Sequence, residues 1–298
     1  MKTISKVFSC ILAFSSLLGS VEGQNRYKIW YDKPASYWEE ALPIGNGRIA
    51  AMVFGDPQLE QIQLNEETVS AGSPYQNYNE EAKAALPEMR RLIFEGKYEE
   101  AQNMAATKIL SQVGNEMPYQ TVGRLNIRYQ DHKKVSNYYR DLDISNAMTV
   151  TRYKVDGVEF TEETFASFTD QLVIRHIKSS KPGAINCELF FNTPMRDPKR
   201  SIYGKKGLRL EGITHGSRYF PGKVHYCADL DVKNKGGEVT MANDTLLSVQ
   251  GASELTLYIS MATNFVNYKD ISGDPYQRNK TYLKNAEKEY DKAKAAHI

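Results

Sequence analysis

From Leu125 to Met261 the chain is a succession of short strand-like segments broken by turn residues, and no other feature restricts its fold as much. Leu125, Ile127 and Tyr129 alternate with Asn126 and Arg128, the two-residue period of a strand with one face buried. Met148 to Val155 runs into Asp156-Gly157, a pair suited to the left-handed conformations of a tight hairpin, and Val158 to Phe168 returns. Leu172 to Ile177 and Ile185 to Phe191 flank Lys181-Pro182-Gly183. Leu208 to Ile213, Val224 to Val232, Glu238 to Met241, Leu246 to Val249 and Leu255 to Met261 follow. Turn signals at intervals of roughly 8–12 residues, with no alternation of strands and helices, predict a mainly β protein, a large antiparallel sandwich.

Two stretches depart from this pattern. Glu80 to Phe94 carries Ala82, Ala85, Leu86, Met89, Leu92 and Ile93 at helical spacing, Gly96 interrupts, and Tyr98 to Leu110 repeats the period with Ala101, Ala105 and Ile109. This predicts one inserted αα-hairpin whose apolar stripes pack on the sheet. Pro87 places a start or a kink in the first helix. Asp274-Pro275 closes the β part, and Lys280 to Ala296 repeats helically through Leu283, Ala286, Tyr290 and Ala293. That helix reaches Ile298 without a glycine or proline stop, which leads us to expect further chain beyond it.

Upstream, Ala41 to Gly72 reads ALPIGNGRIAAMVFGDPQLEQIQLNEETVSAG. Gly45-Asn46-Gly47 supplies a tight turn, Ile49 to Phe54 a buried strand, and Ile62 and Leu64 alternate with Gln61 and Gln63 in the next. Asn65-Glu66-Glu67-Thr68 leaves this two-strand unit as a polar cluster. The candidate site is therefore a polar rim of Asn46, Arg48, Asn65, Glu66 and Gln120. A structural reading competes with it, in which Asn46 serves its turn and Arg48 pairs with Glu66.

The formal net charge is +2, and no basic stripe interleaved with aromatics suggests nucleic acid. Residues 1–23 have the form of an export signal: Lys2 and Lys6, then the apolar Val7–Leu18, then Val21-Glu22-Gly23. An exported protein, periplasmic or extracellular and of bacterial type, is expected. No segment approaches the ~20 apolar residues of a membrane-spanning helix. Of the three cysteines, Cys10 lies in the signal. Cys187 and Cys227 fall on apolar and polar strand faces respectively and are expected to be free thiols.

Hydrolytic chemistry is harder to find. Glu66 with Glu67, and Glu162 with Glu163, are adjacent and so point to opposite strand faces, and both pairs read as solvated. The five histidines have no zinc spacing and read as surface or half-buried strand residues. No nucleophile elbow or phosphate loop is present, and nothing calls for a cofactor or metal. Asn243-Asp244-Thr245 and Asn279-Lys280-Thr281 match the glycosylation sequon only formally.

The blocks Trp30-Tyr31, Pro34-Ala35, Glu40 to Arg48, Ile62 to Glu66, Tyr139 to Asp143, Phe165-Ala166-Ser167 and Ala262 to Phe265 with Tyr268 together resemble the N-terminal β-domain of glycoside hydrolase family 95, the inverting α-L-fucosidases and related α-L-galactosidases. The resemblance implies a mutarotase-like β-supersandwich over residues 24–274 and the start of a helical linker over 275–298. It further implies a catalytic α/α barrel on the same or a split polypeptide, and fucosylated or galactosylated glycans as substrates. The family's catalytic acid and water-activating residues lie in that barrel, so no catalytic residue is assigned here. Where the family has Leu-Trp-Ser-Gly, this chain has Val69-Ser70-Ala71-Gly72. A stand-alone carbohydrate-binding module is the alternative, with Tyr75, Tyr78 and Tyr119 as its aromatic platform. A mutarotase-like epimerase is a third reading, resting on architecture alone.

Overall fold

The computed structural model describes residues 27–111, 117–216 and 220–298; the expected export signal lies outside them. Two antiparallel sheets face each other. The strands are β1 (Lys28–Tyr31), β2 (Leu42–Gly45), β3 (Ile49–Val53), β4 (Leu59–Glu66), β5 (Gly123–Tyr129), β6 (Val135–Asp143), β7 (Met148–Val155) and β8 (Val158–Ser167). They continue with β9 (Leu172–Ser179), β10 (Ile185–Asn192), β11 (Arg196–Tyr203), β12 (Gly207–Ile213), β13 (His225–Lys235), β14 (Glu238–Asn243), β15 (Leu246–Ala252) and β16 (Glu254–Thr263). The nine-stranded sheet runs β1-β6-β7-β8-β9-β16-β13-β12-β11, and the seven-stranded sheet β14-β15-β10-β5-β4-β3-β2. The expected sandwich is the observed one. The β7–β8 turn carries positive φ at Asp156 (48°) and Gly157 (81°), as its dipeptide predicts. β6 and β11 are strands that the sequence pattern did not delimit. β11 is exposed over most of its length, so it offers no apolar alternation to detect.

Patterning distinguishes the two sheets. β4 alternates strictly, with Glu60, Ile62, Leu64 and Glu66 buried and the residues between them half-buried. β16 is buried at nearly every position, because its sheet is covered on both faces. Ile62, Leu64, Leu125, Ile127 and Leu189 of one sheet join Val173, Ile177, Leu230, Leu257 and Ile259 of the other in the inter-sheet core. On the far side of the nine-stranded sheet Met148, Phe165, Leu172, Ile174 and Tyr258 form a second core with Leu283, Ala286 and Ala293.

Those last three belong to the C-terminal helical segment, and here the structure corrects the expected single helix. α3 (Pro275–Leu283) starts earlier than predicted, because Asp274 caps it by accepting from the Tyr276 and Gln277 N–H groups and Pro275 suits its first turn. A 3-10 turn over Lys284–Glu287 follows. The chain is extended at Lys288 and Glu289 before α4 (Tyr290–His297). The break is tied to the sheet beneath: the Tyr258 hydroxyl donates to the Lys288 carbonyl at 3.1 Å, and Lys288 Nζ pairs with Asp170. α3 also explains Cys227. The Asn279 amide donates to the Cys227 carbonyl at 2.9 Å and accepts from Ser260 at 2.7 Å, so a strand face that reads as polar is sealed. Cys187 and Cys227 are free thiols, as expected, and both are buried; Asn279, fully buried, is unavailable as a glycosylation acceptor.

The inserted hairpin forms as predicted, with α1 (Ala82–Phe94) running through Pro87 and α2 (Tyr98–Met104) leading into a π-turn over Ala105–Ile109. Its packing differs from expectation. The two helices contact each other, while Ala85, Leu92 and Ala101 belong to neither apolar core. Phe94 and Tyr98 stand 88% and 69% exposed. The helical periodicity correctly marks one face as apolar, but its buried residues join neither core of the sandwich.

Candidate functional site

The rim predicted from Asn46 to Gln120 lies where β2, β3 and β4 meet the ends of β8 and β16. Gly47, at φ 94°, allows the β2–β3 turn to close. Asn46 holds that turn, accepting at Oδ1 from the Arg48 and Ile49 N–H groups at 3.0 and 2.9 Å. Its Nδ2 reaches across to the Ser167 carbonyl at 2.9 Å, so the turn also joins the two sheets.

Arg48 is a clamp. Its Nε donates to Gln171 Oε1 at 2.6 Å and its Nη1 to the Met261 carbonyl at 2.7 Å, and the guanidinium lies 4.5 Å from the centre of the Tyr282 ring. Nη1 also stands 3.5 Å from Glu66 Oε1, the ion pair that the structural reading called for. Glu66 Oε2 accepts from the Thr68 N–H at 2.8 Å and the Thr68 hydroxyl at 2.6 Å. Burial raises the Glu66 pKa, opposed by the Thr68 bonds and by Arg48. Glu66 is therefore buried rather than solvated as expected, while Glu67 is exposed. Gln120 accepts from the His215 N–H at 2.9 Å. Asn65 is not part of this group. It pairs with Ala50 across the ladder and points to the opposite face of the sheet from Glu66.

A cleft of about 210 Å³ opens over Arg48, Glu66 and Tyr282, lined also by Phe265 and Arg278. It adjoins a larger one of about 630 Å³, walled by Tyr75, Phe265, Tyr268 and Ile271, with Glu67 and Thr68 common to both. Arg278 holds the far wall by donating to the Thr263 and Phe265 carbonyls at 2.8 and 2.6 Å. Arg278 and Tyr282 carry no sequence signal of this role, because a residue on a helix shows no link to a strand turn more than 200 positions earlier. Of the tyrosines expected to form a platform, Tyr75 stacks on Phe220 at 4.2 Å and Tyr119 gives its hydroxyl to the Glu66 carbonyl at 3.2 Å. Tyr78 is exposed.

The two clefts can bind and orient polar ligands. The two carboxylates in their walls are unsuited to proton transfer as a pair, since Glu66 is engaged and its neighbour diverges from it. Replacing Arg48 with lysine should cost about 2 kcal/mol, since one ammonium cannot reach Gln171, Met261 and Glu66 together. Urea unfolding of the two proteins checks this, and equal midpoints would contradict the clamp.

Strongly perturbed acids do occur, but in the interior. Arg175 Nη2 contacts Glu60 Oε2 at 2.8 Å and Glu162 Oε2 more closely still, while Nη1 donates to Thr164 at 2.8 Å. The Tyr129 and Tyr153 hydroxyls donate to Glu162 Oε1 at 2.5 and 2.8 Å. Glu60 also accepts from the Gly55 N–H at 2.9 Å. Desolvation pushes the Glu60 carboxyl up to about 7, with Arg175 opposing and Glu162 reinforcing. Perturbed acids often mark active sites, yet Glu60, Glu162 and Arg175 are sealed between the sheets. The expectation that Glu162 is solvated fails for this reason. Glu163, on the other face of β8, is held by Tyr290 and Lys294. His132, expected near the surface, is buried between Tyr129 and Phe160, with its ring nitrogen Nδ1 3.0 Å from the Pro57 carbonyl oxygen. Among the described residues no cluster of three or more His, Cys, Asp or Glu could hold a metal, and no helix is long and apolar enough to cross a membrane.

Residues 29–268 match the family model described as "Glycosyl hydrolase family 65, N-terminal domain". The chain belongs to that family. It is 31% identical over 261 residues to alpha-L-fucosidase 2 of Arabidopsis thaliana, covering 80% of this chain and 30% of the relative. It is 25% identical over 293 residues to a protein of Aspergillus niger named as a probable alpha-fucosidase A, covering 91% and 36% respectively. This chain thus spans about a third of the length of these relatives. Among solved structures, a candidate kojibiose phosphorylase from the human microbiome has the same fold, with a TM-score of 0.52 at 10% identity over 91% of this chain and 37% of that one. Together these findings establish the N-terminal domain of a glycoside hydrolase, the class that the sequence motifs indicate.

Proposed function

We propose that this chain is the N-terminal part of an exported α-L-fucosidase-type hydrolase acting on terminal α-L-fucosyl or α-L-galactosyl residues of glycans. Its catalytic carboxyl groups lie in an α/α barrel outside this chain, on the same or a split polypeptide. Residues 1–23 direct export, residues 24–274 form the sandwich, and residues 275–298 begin the linker. The rim around Arg48 braces the sandwich and forms one wall of the substrate pocket.

The observation that carries this reading is the state of Glu66, the rim's buried carboxylate. Inverting hydrolysis needs two carboxyl groups ~6.5–9.5 Å apart with a water between them. Glu66 is engaged at both oxygens by Thr68 and Arg48, which suits positioning rather than proton transfer. The likeness to the Arabidopsis fucosidase supports the substrate class. The purified chain, folded by circular dichroism, is expected to show no turnover of an aryl α-L-fucoside. A chimera in which residues 29–268 replace the matching segment of the Arabidopsis relative is expected to hydrolyse it. Turnover by the isolated chain would refute the placement of the catalytic groups.

A further inference from the structure

A third cleft, of about 650 Å³, lies at the other end of β4 and is lined by Lys33, Tyr37, Trp38, Asp56, Gln61 and Arg124. Gln61 is five residues from Glu66, so the two sites are about 16 Å apart along the strand. They also use opposite faces of the sheet, since Glu66 points inward and Gln61 outward. Tyr37 and Trp38 are 57% and 50% exposed at this cleft.

The segment that carries them is held from beneath. The buried Arg140 donates from Nε to the Lys33 carbonyl and from Nη1 to the Glu40 carbonyl, both at 2.8 Å, with its guanidinium 4.1 Å from the Tyr31 ring centre. The Ala35 N–H donates to the Phe54 carbonyl at 3.0 Å, and the Ser36 N–H to Glu40 Oε2 at 2.8 Å. A buried cation thus fixes a surface turn whose tip displays two aromatic rings. The facing wall is polar and ordered: Arg124 Nη1 donates to Gln61 Oε1 at 2.7 Å, and Asp56 Oδ1 accepts from the Gln58 and Leu59 N–H groups.

We propose that this cleft is an accessory glycan-binding site, distinct from the rim. Pyranose rings present an apolar face of C–H bonds and an edge of hydroxyl groups. Tyr37 and Trp38 pack against the former, and Gln61, Arg124 and Asp56 bond the latter. The cleft volume falls within the ~300–1,000 Å³ of small-molecule sites, and the fixed turn lowers the ordering cost of binding. The mixed charge of the wall, Lys33 and Arg124 against Asp56, suits neutral sugars. The inference does not rest on the fucosyl reading, because it requires a sugar ring and not a fucose.

Trp30 and Trp38 are the chain's two tryptophans, which gives a direct test. In Trp30→Phe, Trp38 is the sole indole, and titration with lactose and with 2′-fucosyllactose should shift its fluorescence saturably at millimolar concentration. By calorimetry, Trp38→Ala and, separately, Arg124→Ala should each weaken binding by about tenfold or more, with melting temperatures verifying the fold. Tyr268→Ala, at the rim, should leave the Trp38 fluorescence response to lactose unchanged. A Trp38 signal unmoved by either sugar overturns the proposal, as does binding that survives Trp38→Ala or is lost in Tyr268→Ala. Binding of 2′-fucosyllactose alone, destroyed by Tyr268→Ala, would assign the sugar to the rim and overturn only the site at Trp38.

Discussion

Arg175→Met is expected to destabilise the sandwich by about 3–5 kcal/mol at neutral pH, the usual cost of stranding a buried charge by removing its partner. Arg175 is the cation between Glu60 on β4 and Glu162 on β8, and it is fully buried with both of them. Without it two carboxyl groups remain in the interior with only tyrosine hydroxyls and backbone N–H groups as partners. Glu60, whose carboxyl pKa burial already raises, would then hold its proton, so the penalty should be smaller near pH 5 than near pH 8. Urea unfolding of wild type and variant at both values measures it. The triple variant Glu60→Gln, Glu162→Gln, Arg175→Met, which removes the charges together, should recover most of the loss. A single variant within about 1 kcal/mol of wild type would show that the cluster is not held together by charge.

The second large effect is a pH dependence with a definite sign. One guanidinium stands against two carboxylates, so one acid is in excess, and burial raises Glu60 to about 7 from its ordinary value of 4.5. The folded state therefore binds a proton that the unfolded state has released between those values. The stability contributed by protonated Glu60 is complete below about 4.5 and is lost as pH rises through about 7, a change on the order of 3 kcal/mol. Glu163 opposes this, because the bonds from Lys294 and Tyr290 hold its pKa down despite burial, and its contribution is lost as pH falls. Comparison with Glu60→Gln isolates the Glu60 effect. From pH 5 to pH 8 the variant should gain on wild type by that amount. Parallel stability curves for the two proteins would rule out the assignment.

This cluster was partly legible in the sequence, and the signal was parity. Glu60 shares its register with Ile62 and Leu64, Glu162 with Phe160 and Ala166, and Arg175 with Val173 and Ile177. A two-residue period alone therefore sends all three charges inward. What parity does not show is that three charges from different strands meet and compensate each other. A carboxylate on an inward face can equally mark an edge or a mouth open to water, and adjacent glutamates read more simply as solvated.

The rim divides in the same way. Asn46 and Gly47 declare their turn locally, since an amide that accepts from N–H groups two and three residues on needs no distant partner. The separation of Asn65 from Glu66 also follows from strand periodicity. Arg48 does not declare itself, because it binds Met261 more than 200 residues away and lies over Tyr282 of a helix. The αα-hairpin shows the converse limit. Spacing identifies its apolar stripe, but nothing in spacing says whether that stripe joins the core of the sandwich, and here its buried residues do not.

By itself, then, the sequence determined most of the strands, their turns, the class of sandwich and the inserted hairpin, because backbone period and turn chemistry act between residues a few positions apart, while the hydrolase class came from the resemblance of its motif blocks. Only the tertiary structure decided which acids are sealed, why Cys227 and Asn279 are covered, where the C-terminal helix breaks, and that Arg140 supports an aromatic surface turn. Each of those depends on what lies across a sheet face. That is fixed by the packing of whole layers and not by the local order of side chains.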